Sequence, residues 1–372
     1  MFRVLHLIDH NGLGGAQRLL RGILIHRPQD MVLPLRLKTP ALFPASDFLS
    51  QAGWRHTYLN YFSVLPQVYR LIQAGSVDIL HCHLQASFTV GLMLRRICAK
   101  KNIALIFHEH NPYMAHHAVY RRLVRAAGGA GLMLAVSPQT QGALISCGLP
   151  EERVVLLPNF IDVDQLRLSE KPSISMSQKQ AGKWTVGFAG RLVVEKGWRY
   201  ALEAIARLSS FPIELRIAGE GKEMAQAKRW VAERGLESRV RFLGVVTDMA
   251  AFYRSLDVLL HPAIEEPFGL SPLEAQACGV PVVAFCFAGS DFIFGTDSAL
   301  LCPIGDVECL AEMLRQILMD ISLREALIEK GKQNVQRFHP ITFFDSLNEI
   351  YQLACGGNIS ENEKITPRSG AL

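Results

Sequence analysis

Two acidic residues, Glu266 and Glu274, stand eight positions apart in a proline- and glycine-rich stretch, residues 266–281. The first falls in a loop, and the second falls in the opening turn of a predicted helix. Ser271 is the expected N-cap of that helix and forms a capping box with Glu274, while Pro272 suits the first helical position. Free amides from 268 to 273 would favour a phosphate. Because the loop carboxylate can also accept hydrogen bonds from hydroxyl groups, the stretch suits a sugar joined to a phosphate.

A second chemical signal follows the strand predicted at 184–189. Gly190 lets the backbone turn, and Arg191 and Lys196 flank the loop before a helix predicted over 197–208. Two cations beside a strand-to-helix turn can neutralise a diphosphate, and arginine can engage it through two parallel hydrogen bonds. Taken alone, Arg191 and Lys196 could be ordinary surface residues. In the same way, Glu266 could be a solvated loop residue, and Glu274 could serve only to cap its helix.

Both stretches resemble signatures of the retaining glycosyltransferases of family four, the group 1 glycosyltransferases. The first matches Glu-x7-Glu with Phe-Gly-Leu and then Glu-Ala-x-Ala-Cys-Gly-Val-Pro, and residues 190–197 match Gly-Arg-Leu…Lys-Gly. Pro158-Asn-Phe-Ile-Asp162 is also similar to the end of the family's first domain. The resemblance implies an α/β GT-B architecture, with two Rossmann-like domains facing each other across a cleft in which the reaction occurs.

The resemblance also implies roles for individual residues. Arg191 and Lys196 would stabilise the leaving diphosphate, Glu266 would hold sugar hydroxyls and Glu274 the ribose. His108 would position the sugar, or stabilise the oxocarbenium-like centre through its carbonyl. The implied catalytic residues are His108, Glu266, Arg191 and Lys196. The implied donor-binding residues are Gly14, Gly15, Gly190, Arg191, Lys196, Gly219, Val245, Glu266, Phe268, Gly269, Leu270 and Glu274.

The family's mechanism is front-face attack by the acceptor, with the departing phosphate taking the acceptor's proton. It implies no covalent nucleophile, no metal and no cofactor, since the nucleotide diphosphate sugar is itself the donor substrate. One position departs from the family's pattern. Relatives usually carry a Gly-x-x-Glu turn where this chain has Gly289-Ser-Asp-Phe292, so Phe292 stands where a glutamate is expected.

Four histidines follow or end two predicted buried strands, at 77–83 and 103–107. They are His81, His83, His108 and His110. Because His-x-His on a strand places both rings on one face, a metal site is conceivable. No aspartate or glutamate accompanies them in a recognisable ligand spacing. We therefore expect His81 and His83 to be packed or hydrogen-bonded, and we expect no metal.

A glycine-rich loop, residues 11–15, lies between the first predicted strand and a helix over 16–26. Such a loop brings backbone amides close to a phosphate in doubly wound folds. The full Gly-x-Gly-x-x-Gly spacing is not met, because Gln17 occupies the third glycine position. No acidic residue follows a complete fingerprint at about twenty positions, which disfavours an NAD enzyme.

The length of 372 residues, half of them hydrophobic, suits two globular domains. We predict an acceptor-binding domain over 1–166, a linker over 167–183 and a donor-binding domain over 184–340. A last helix over 341–355 would cross back to the first domain, ahead of a polar tail over 356–372. Within the predicted domains, further elements include a strand near 31–38 and helices near 45–52 and 63–74.

Localisation is expected to be cytoplasmic. No apolar run approaches the roughly 18 to 20 residues of a membrane helix, and the N-terminal segment lacks the features of a signal peptide. Eight cysteines are scattered with no Cys-x-x-Cys pair, which favours reduced thiols.

The net charge of +5 is unevenly distributed, since residues 1–166 hold 16 Lys/Arg against 9 Asp/Glu. Basic helix faces of this kind attract anionic lipid head groups, so a peripheral position on the inner face of the membrane is a hypothesis. Nucleic acid is not expected, because no reading motif accompanies the charge. The predicted partners are a nucleotide sugar and a glycan or lipid-linked acceptor, as in polysaccharide or lipopolysaccharide synthesis. A sugar-nucleotide epimerase of the same architecture and a non-catalytic nucleotide-sugar-binding subunit remain alternatives.

Overall fold

Parallel strands alternate with helices along the chain in a computed structural model, which describes residues 2–12, 14–36, 61–111, 116–168 and 183–356. The predicted helix near 45–52, most of the linker and nearly all of the tail lie outside the described residues. The described chain divides into two units. One comprises residues up to Phe160 together with the chain from Ile341, and the other comprises Ile161–Pro340.

The first unit contains one parallel sheet of six strands in the order β2-β1-β3-β4-β5-β6. Its strands are β1 (Val4–Ile8), β2 (Met31–Pro34), β3 (Ile79–His83), β4 (Ala104–Glu109), β5 (Leu132–Ala135) and β6 (Val154–Leu156). Its described helices are α1 (Gly15–His26), α2 (Tyr61–Gln73), α3 (Gln85–Lys100), α4 (Ala118–Ala130), α5 (Pro138–Ser146) and the last helix of the chain.

The second unit contains another parallel sheet of six strands, in the order β12-β11-β10-β7-β8-β9. Its strands are β7 (Trp184–Ala189), β8 (Ile213–Ala218), β9 (Val240–Gly244), β10 (Val258–His261), β11 (Val282–Phe285) and β12 (Leu300–Cys302). Its described helices are α6 (Val163–Leu168), α7 (Trp198–Arg207), α8 (Met224–Ala232), α9 (Met249–Arg254), α10 (Leu270–Ala277), α11 (Ser290–Phe294), α12 (Val307–Met319) and α13 (Ile321–Asn334). The last helix, α14, spans Pro340–Cys355.

The predicted α/β class with two Rossmann-like domains is confirmed. Central strands such as β11 read as short, continuous apolar runs because helices cover both faces of a parallel sheet. Several helices begin where a side-chain oxygen caps the first turn: Ser137 accepts the Thr140 amide, and Asp248, Asp306 and Asp320 cap α9, α12 and α13 in the same way.

Each sheet has one point at which the strand order reverses. The reversal lies between β1 and β3 in the first unit and between β7 and β10 in the second. Loops that leave two such neighbouring strands diverge to opposite faces, so a crevice opens at the carboxyl ends of the strands. The glycine-rich loop after β1 lies at the first of these points, and the loops after β7 and β10 lie at the second.

Helix α14 packs on the core of the first unit. Phe343, Leu347, Ile350 and Tyr351 are buried against strand residues of β1 and β3 and against α1. The boundary before the second unit differs from the sequence-based one, because residues 161–166 belong with the second unit. There the amide of Ile161 donates to the carbonyl of Phe338, and Arg254 donates to the carbonyl of Leu166. Asp162 caps α6 by accepting the amide of Gln165 at 3.0 Å.

Across the part of the chain that the structure describes, no helix has both the length and the apolar character that membrane crossing requires.

Replacing Leu347 with alanine should destabilise the first unit by about 2–5 kcal/mol, because its fully buried side chain would leave a cavity under α14. Leu353→Ala on the same helix is the matched control, since Leu353 is 40% exposed, and it should cost far less. Urea unfolding, monitored by hydrogen exchange of first-unit amides, measures the free energy of unfolding of each variant. Equal losses in the two variants would contradict packing of α14 on this core.

Candidate active site

The loops after β7 and β10 are held against each other in the second unit. The carbonyl of Glu195 accepts the amides of Ile264 and Glu265, at 2.9 and 3.3 Å. Gly197 follows with a left-handed backbone, φ +68°, and a Cβ there would overlap the carbonyl oxygen of Pro262. Only glycine therefore permits this approach of the two loops, which places Lys196 beside Glu266.

Lys196 and Glu266 form an ion pair at the point where the strand order reverses. Lys196 Nζ donates to Glu266 Oε2 at 2.6 Å, and the two side chains are only 17% and 12% exposed. Nε2 of His261, the last residue of β10, lies 3.4 Å from the same carboxylate oxygen, without the alignment of a hydrogen bond. The structure thus joins two of the residues that the sequence predicts, although they are 70 positions apart.

Glu266 remains ionised in this setting. Burial by itself raises the pKa of a carboxyl group, but Lys196 and His261 outweigh burial and lower the pKa of Glu266 to about 2. An ionised carboxylate accepts hydrogen bonds and donates none. Glu266 is therefore suited to groups that donate, such as hydroxyls.

Three glycines bring the loops after β7, β8 and β9 together. The amide of Gly219 donates to the carbonyl of Gly244 at 2.7 Å, and a Cβ on Gly219 would overlap the carbonyl oxygen of Gly190. Arg191 follows Gly190 and is exposed, and no ion pair is found for it among the described residues. Its guanidinium is accordingly available to an anion at this edge.

The start of α10 differs from the sequence prediction. The helix begins at Leu270, and its N-cap is Gly269 with φ +91°, not Ser271. No side chain caps the helix, so the predicted capping box between Ser271 and Glu274 is wrong. The reason is that Gly269 tolerates the left-handed conformation and lets the helix start two residues early. The first amides of α10, at Leu270 and Ser271, have no partner within the helix and suit an anion.

Glu274 instead accepts a hydrogen bond from Tyr253, whose hydroxyl lies 2.7 Å from Oε2. Tyr253 is fully buried on α9, so it fixes the carboxylate from beneath. Sequence reasoning missed Tyr253, because nothing in a helical pattern marks a tyrosine that reaches a neighbouring helix. It also assigned no role to His261, although its place at the end of a buried strand was a usable signal.

A cavity of about 710 Å³ opens at the ends of β8 and β9. Its lining includes Gly244, the residue before Val245, which the family resemblance implies is a donor-binding residue. Its lining residues are Glu220, Gly221, Met224, Lys228, Phe242, Leu243 and Gly244. The volume falls in the usual range for small-molecule sites, and the lining mixes apolar surface with a lysine and a glutamate.

Aromatic packing supports the loop that carries Glu266. Phe268 is buried and lies edge-on to Phe338, with ring centroids 5.5 Å apart. Phe292, which stands where relatives usually have a glutamate, also lies edge-on to Phe338, at 5.9 Å, and Arg337 lies over its ring. Phe292 thus packs against Phe338 and Arg337, and it does not supply the carboxylate that relatives have at this position.

Gly14, Gly15 and His108 belong to the first unit. Gly14 is extended and Gly15 begins α1, so α1 starts at the carboxyl edge of β1. Gln17, at the missing third glycine position, donates to the carbonyl of His10 at 3.2 Å and ties α1 back to the loop. That contact explains a glutamine where a dinucleotide fingerprint has glycine.

His108 is fully buried in β4, and neither ring nitrogen has a hydrogen-bond partner among the described residues. Its carbonyl accepts the amide of Leu84 at 3.2 Å. Burial is the main cause that lowers the pKa of His108 well below its usual value, so the ring is neutral. A neutral, unpaired imidazole can donate one hydrogen bond and accept another.

Histidines also cluster beyond His108. Two sets of three, His6 with His81 and His83, and His83 with His108 and His110, each bring one nitrogen per ring within 4.8 Å of the others. Distances of this order could admit a metal. The rings of His81 and His83 are stacked, however, with centroids 4.2 Å apart. In addition, ring nitrogens of both sets bond to each other: His6 Nδ1 lies 3.0 Å from His83 Nε2, and His83 Nδ1 lies 3.1 Å from His110 Nε2.

Two family models match the chain. The model described as "Glycosyltransferase Family 4" matches residues 44–165, and the model described as "Glycosyl transferases group 1" matches residues 171–334. The first match falls almost wholly in the first unit and the second in the second unit.

Curated relatives are similar over part of their length. A 2-deoxystreptamine glucosyltransferase of Streptomyces kanamyceticus is 28% identical over 66% of this chain and 65% of its own. A lipopolysaccharide core biosynthesis glycosyltransferase, LpsE of Rhizobium meliloti, is 35% identical over 39% of this chain and 43% of its own. The chain thus spans less than two thirds of the length of these two relatives.

Solved structures resemble the whole chain. HepE of Anabaena, in complex with UDP and glucose, aligns with a TM-score of 0.77 and 24% identity, over 94% of this chain and 99% of its own. WaaG, a glycosyltransferase involved in lipopolysaccharide biosynthesis, aligns with a TM-score of 0.70 and 16% identity, over 95% of this chain and all of its own. At these identities the likeness shows the fold, which is the GT-B fold predicted from the sequence.

Replacing Lys196 with methionine should raise the pKa of Glu266 from about 2 to above its ordinary value of 4.5, because burial would then be less opposed. A carboxyl group with a lowered pKa stabilises the folded state above about pH 4.5, and this contribution is lost as the pH falls through about 2. In Lys196→Met this contribution should be absent. With a folded-state pKa above 4.5, the buried carboxyl group should instead lower the stability of the fold as the pH rises through that pKa. Carbon-13 NMR titration of the Glu266 carboxyl group measures the change.

Lys332→Met is the control for that titration, because Lys332 is an exposed lysine of the same unit without an ion pair to Glu266. It should leave the titration of Glu266 unchanged. An unchanged titration in Lys196→Met as well would show that Lys196 does not hold the carboxylate.

Proposed function

Because the chain belongs to the glycosyltransferases of group 1 and family four, we propose that it moves a sugar from a nucleotide diphosphate sugar to a glycan or lipid-linked acceptor, with retention of the anomeric configuration. The observation that carries this proposal is the Lys196–Glu266 pair, held at the reversal point of the second sheet beside Arg191 and the open amides of α10. A role in cell-envelope polysaccharide or lipopolysaccharide synthesis is part of the proposal.

The proposed chemistry is electrostatic. As the bond between sugar and phosphate breaks, negative charge grows on the leaving diphosphate. Lys196, Arg191 and the amides of Leu270 and Ser271 are fixed positive groups that favour this charge. Lys196 has three N–H groups, so it can donate to a phosphate oxygen while it keeps its bond to Glu266. These residues fill the role that a divalent metal has in other transferases, and no metal cofactor is proposed.

Glu266 and Glu274 are proposed to bind hydroxyl groups. The pKa of Glu266, lowered to about 2, keeps its carboxylate an acceptor at neutral pH, which suits hydroxyls of the transferred sugar. Glu274 lies on the same segment with its Oε2 fixed by Tyr253, and a carboxylate has capacity for further donors. The ribose is its proposed ligand, and the cavity lined by Gly244 and Phe242 is the proposed place of the base.

First-unit residues supply the rest of the proposal. The amides of Gly14 and Gly15, at the start of α1, are proposed to approach the donor phosphate. The unpaired ring of His108 is proposed to hold a hydroxyl of the transferred sugar. Its carbonyl oxygen has a second lone pair beyond the one that accepts the Leu84 amide, and that pair is the proposed partner of the oxocarbenium-like centre.

The similar proteins suggest which substrates to test first. Solved structures of HepE contain UDP, UDP with glucose, or UDP-glucose, and LpsE is named for lipopolysaccharide core synthesis. UDP and UDP-glucose are therefore the first ligands to test on this chain, and a lipid-linked or oligosaccharide acceptor is the first acceptor class.

We also propose that the protein binds anionic membrane surfaces through exposed cations of the first unit. Arg95, Arg96, Lys100 and Lys101 are exposed at the end of α3, and Arg122 and Arg125 are exposed on the neighbouring α4. Sedimentation with vesicles of phosphatidylglycerol and phosphatidylcholine at low salt should pull down the protein, and pure phosphatidylcholine vesicles should not. Replacing Lys100 and Lys101 with glutamine should weaken the binding severalfold. Equal binding to both vesicle types would contradict a charge-driven attachment.

A thermal-shift and calorimetry panel of UDP, GDP, ADP, CMP and their sugars, without divalent metal, tests the donor site. One nucleoside diphosphate should raise the melting temperature of the wild type, because a ligand that binds only the folded state stabilises it. The double variant Arg191→Ala/Lys196→Ala should lose at least tenfold in affinity for it. Arg199→Ala, an exposed arginine on α7, is the matched control and should bind normally.

Transfer with the matching sugar nucleotide then tests the reaction. Proton NMR of the product should show the same anomeric configuration as the donor. An inverted product would contradict retention, and a changed sugar nucleotide without transfer would indicate the epimerase alternative. Binding of NAD in place of any nucleoside diphosphate would overturn the proposed function.

A further inference from the structure

Five histidines line one face of the sheet in the first unit. His6 lies in β1, His81 and His83 lie in β3, His108 lies in β4, and His110 directly follows β4. The first four are fully buried, and His110, which directly follows β4, is 8% exposed. The proposed function uses only His108, so the other four need an explanation of their own.

Three of these histidines form a hydrogen-bonded chain that begins at an ion pair. Arg27 Nε donates to Asp30 Oδ2 at 2.7 Å, and the same oxygen lies 3.3 Å from His6 Nε2. His6 Nδ1 lies 3.0 Å from His83 Nε2. His83 Nδ1 lies 3.1 Å from His110 Nε2. Nδ1 of His110 ends the chain without a partner among the described residues.

The acid at one end of the chain sets the tautomer of each ring. The Asp30 carboxylate can only accept, so His6 must carry its proton on Nε2. A neutral His6 then has a lone pair on Nδ1, and His83 must donate from Nε2. A neutral His83 that carries its proton on Nε2 has a lone pair on Nδ1. His110 must therefore donate from its Nε2 to His83 Nδ1. Its Nδ1 is left as a lone pair.

The alternative is a doubly protonated His6, which would still donate to Asp30 but would reverse the two bonds between imidazole rings, His6–His83 and His83–His110. Arg27 already neutralises Asp30, with contacts at 2.7 and 3.4 Å, and both Asp30 and His6 are inaccessible to solvent. A proton on His6 would add a second, uncompensated positive charge to this buried site, which is costly. His83 and His110 are neutral as well, because burial lowers the pKa of His83 well below its usual value and that of His110 to about 3.

The result is an acceptor nitrogen at the carboxyl edge of the first sheet, close to its reversal point. A buried acceptor without a donor forfeits a hydrogen bond, which is unfavourable. His81 lies outside this hydrogen-bonded chain, since its Nδ1 is hydrogen-bonded to the Tyr351 hydroxyl at 2.9 Å. His108 has no bond at either nitrogen and is free to adopt either tautomer. Among the five, His110 alone combines a fixed tautomer with an acceptor nitrogen that has no partner among the described residues, and this nitrogen is itself buried.

We propose that His110 Nδ1 binds a hydroxyl group of a carbohydrate, and that the chain Asp30–His6–His83 is a positioning device that keeps this nitrogen an acceptor. The proposal rests on the proposed function, which supplies carbohydrate ligands of two sources, the donor sugar and the acceptor. The shared chemistry is a hydroxyl that donates to a neutral imidazole. Water is excluded from the chain, so the tautomer set at Asp30 reaches His110 unchanged.

Nitrogen-15 NMR of histidine-labelled wild type at neutral pH tests the chain directly. His6, His83 and His110 should each be neutral with the proton on Nε2, because the couplings of ring nitrogens to ring protons differ between the two tautomers. Nδ1-protonated or doubly protonated His110 would overturn the proposal. One equivalent of tightly bound zinc in the purified protein, with His83 or His110 as ligand, would overturn it too, since the metal would occupy the lone pairs.

Two variants of His110 separate ligand binding from a structural role. The amide of asparagine reaches the position of Nδ1, and the longer amide of glutamine reaches that of Nε2. His110→Gln keeps a donor to His83 but lacks the acceptor, so it should lose about tenfold or more in carbohydrate binding. His110→Asn keeps the acceptor and should stay within about threefold of the wild type. A purely structural role predicts the reverse order, and no change in either variant also contradicts the proposal.

The binding readout has two arms. Calorimetry with UDP and with UDP-glucose tests the donor source, because only the affinity for UDP-glucose should fall in His110→Gln. The KM of methyl glycosides in the transfer assay, with kcat recorded separately, tests the acceptor source. If neither UDP nor any other nucleotide binds the wild type, the proposed function fails, while the NMR tautomers still decide whether the chain exists.

Discussion

A short contact between two loops governs the candidate site of the second unit. Glu195 accepts two amides from the loop after β10, and Gly197 leaves room for the carbonyl of Pro262. These backbone contacts bring Lys196 and Glu266 to 2.6 Å in a poorly hydrated position. Charge in such a position is costly unless it is paired, and Lys196 is the partner that helps to keep Glu266 ionised. The same fixed charges are what a leaving diphosphate and a set of hydroxyls would require.

The two units share one construction principle but present different chemistry. Both place their loops at the carboxyl ends of parallel strands, where the order of the sheet reverses. The second unit offers charged groups: Lys196, Glu266 and the exposed Arg191. The first unit offers neutral imidazoles, because burial keeps His83, His108 and His110 uncharged, with one ring proton each. The cations Lys196 and Arg191 suit a diphosphate, whereas the Glu266 carboxylate and the neutral imidazoles suit hydroxyls.

Much of this could be predicted from the sequence, for reasons that are local. Apolar runs such as Val282–Phe285 mark buried strands, and glycines such as Gly197 mark turns that no other residue allows. The Glu-x7-Glu stretch and the Gly-Arg-Leu loop pointed to residues that the fold then placed on one edge. The capping box was predicted wrongly, because Ser271 and Glu274 have the right spacing while Gly269 permits an earlier start to the helix. Local spacing could not reveal that Tyr253 takes Glu274 as its partner.

The sequence by itself determined the class of fold, the order of elements and the family, since these depend on periodicity, turn residues and motifs that neighbours along the chain specify. Only the tertiary structure decided which distant groups meet. His6, His83 and His110 stand far apart in the chain, yet parallel pairing of β1, β3 and β4 brings their rings to hydrogen-bonding distance. Their tautomers depend on Asp30, which no motif links to them. Protonation and partner choice are properties of the folded environment, because burial and nearby charge set them.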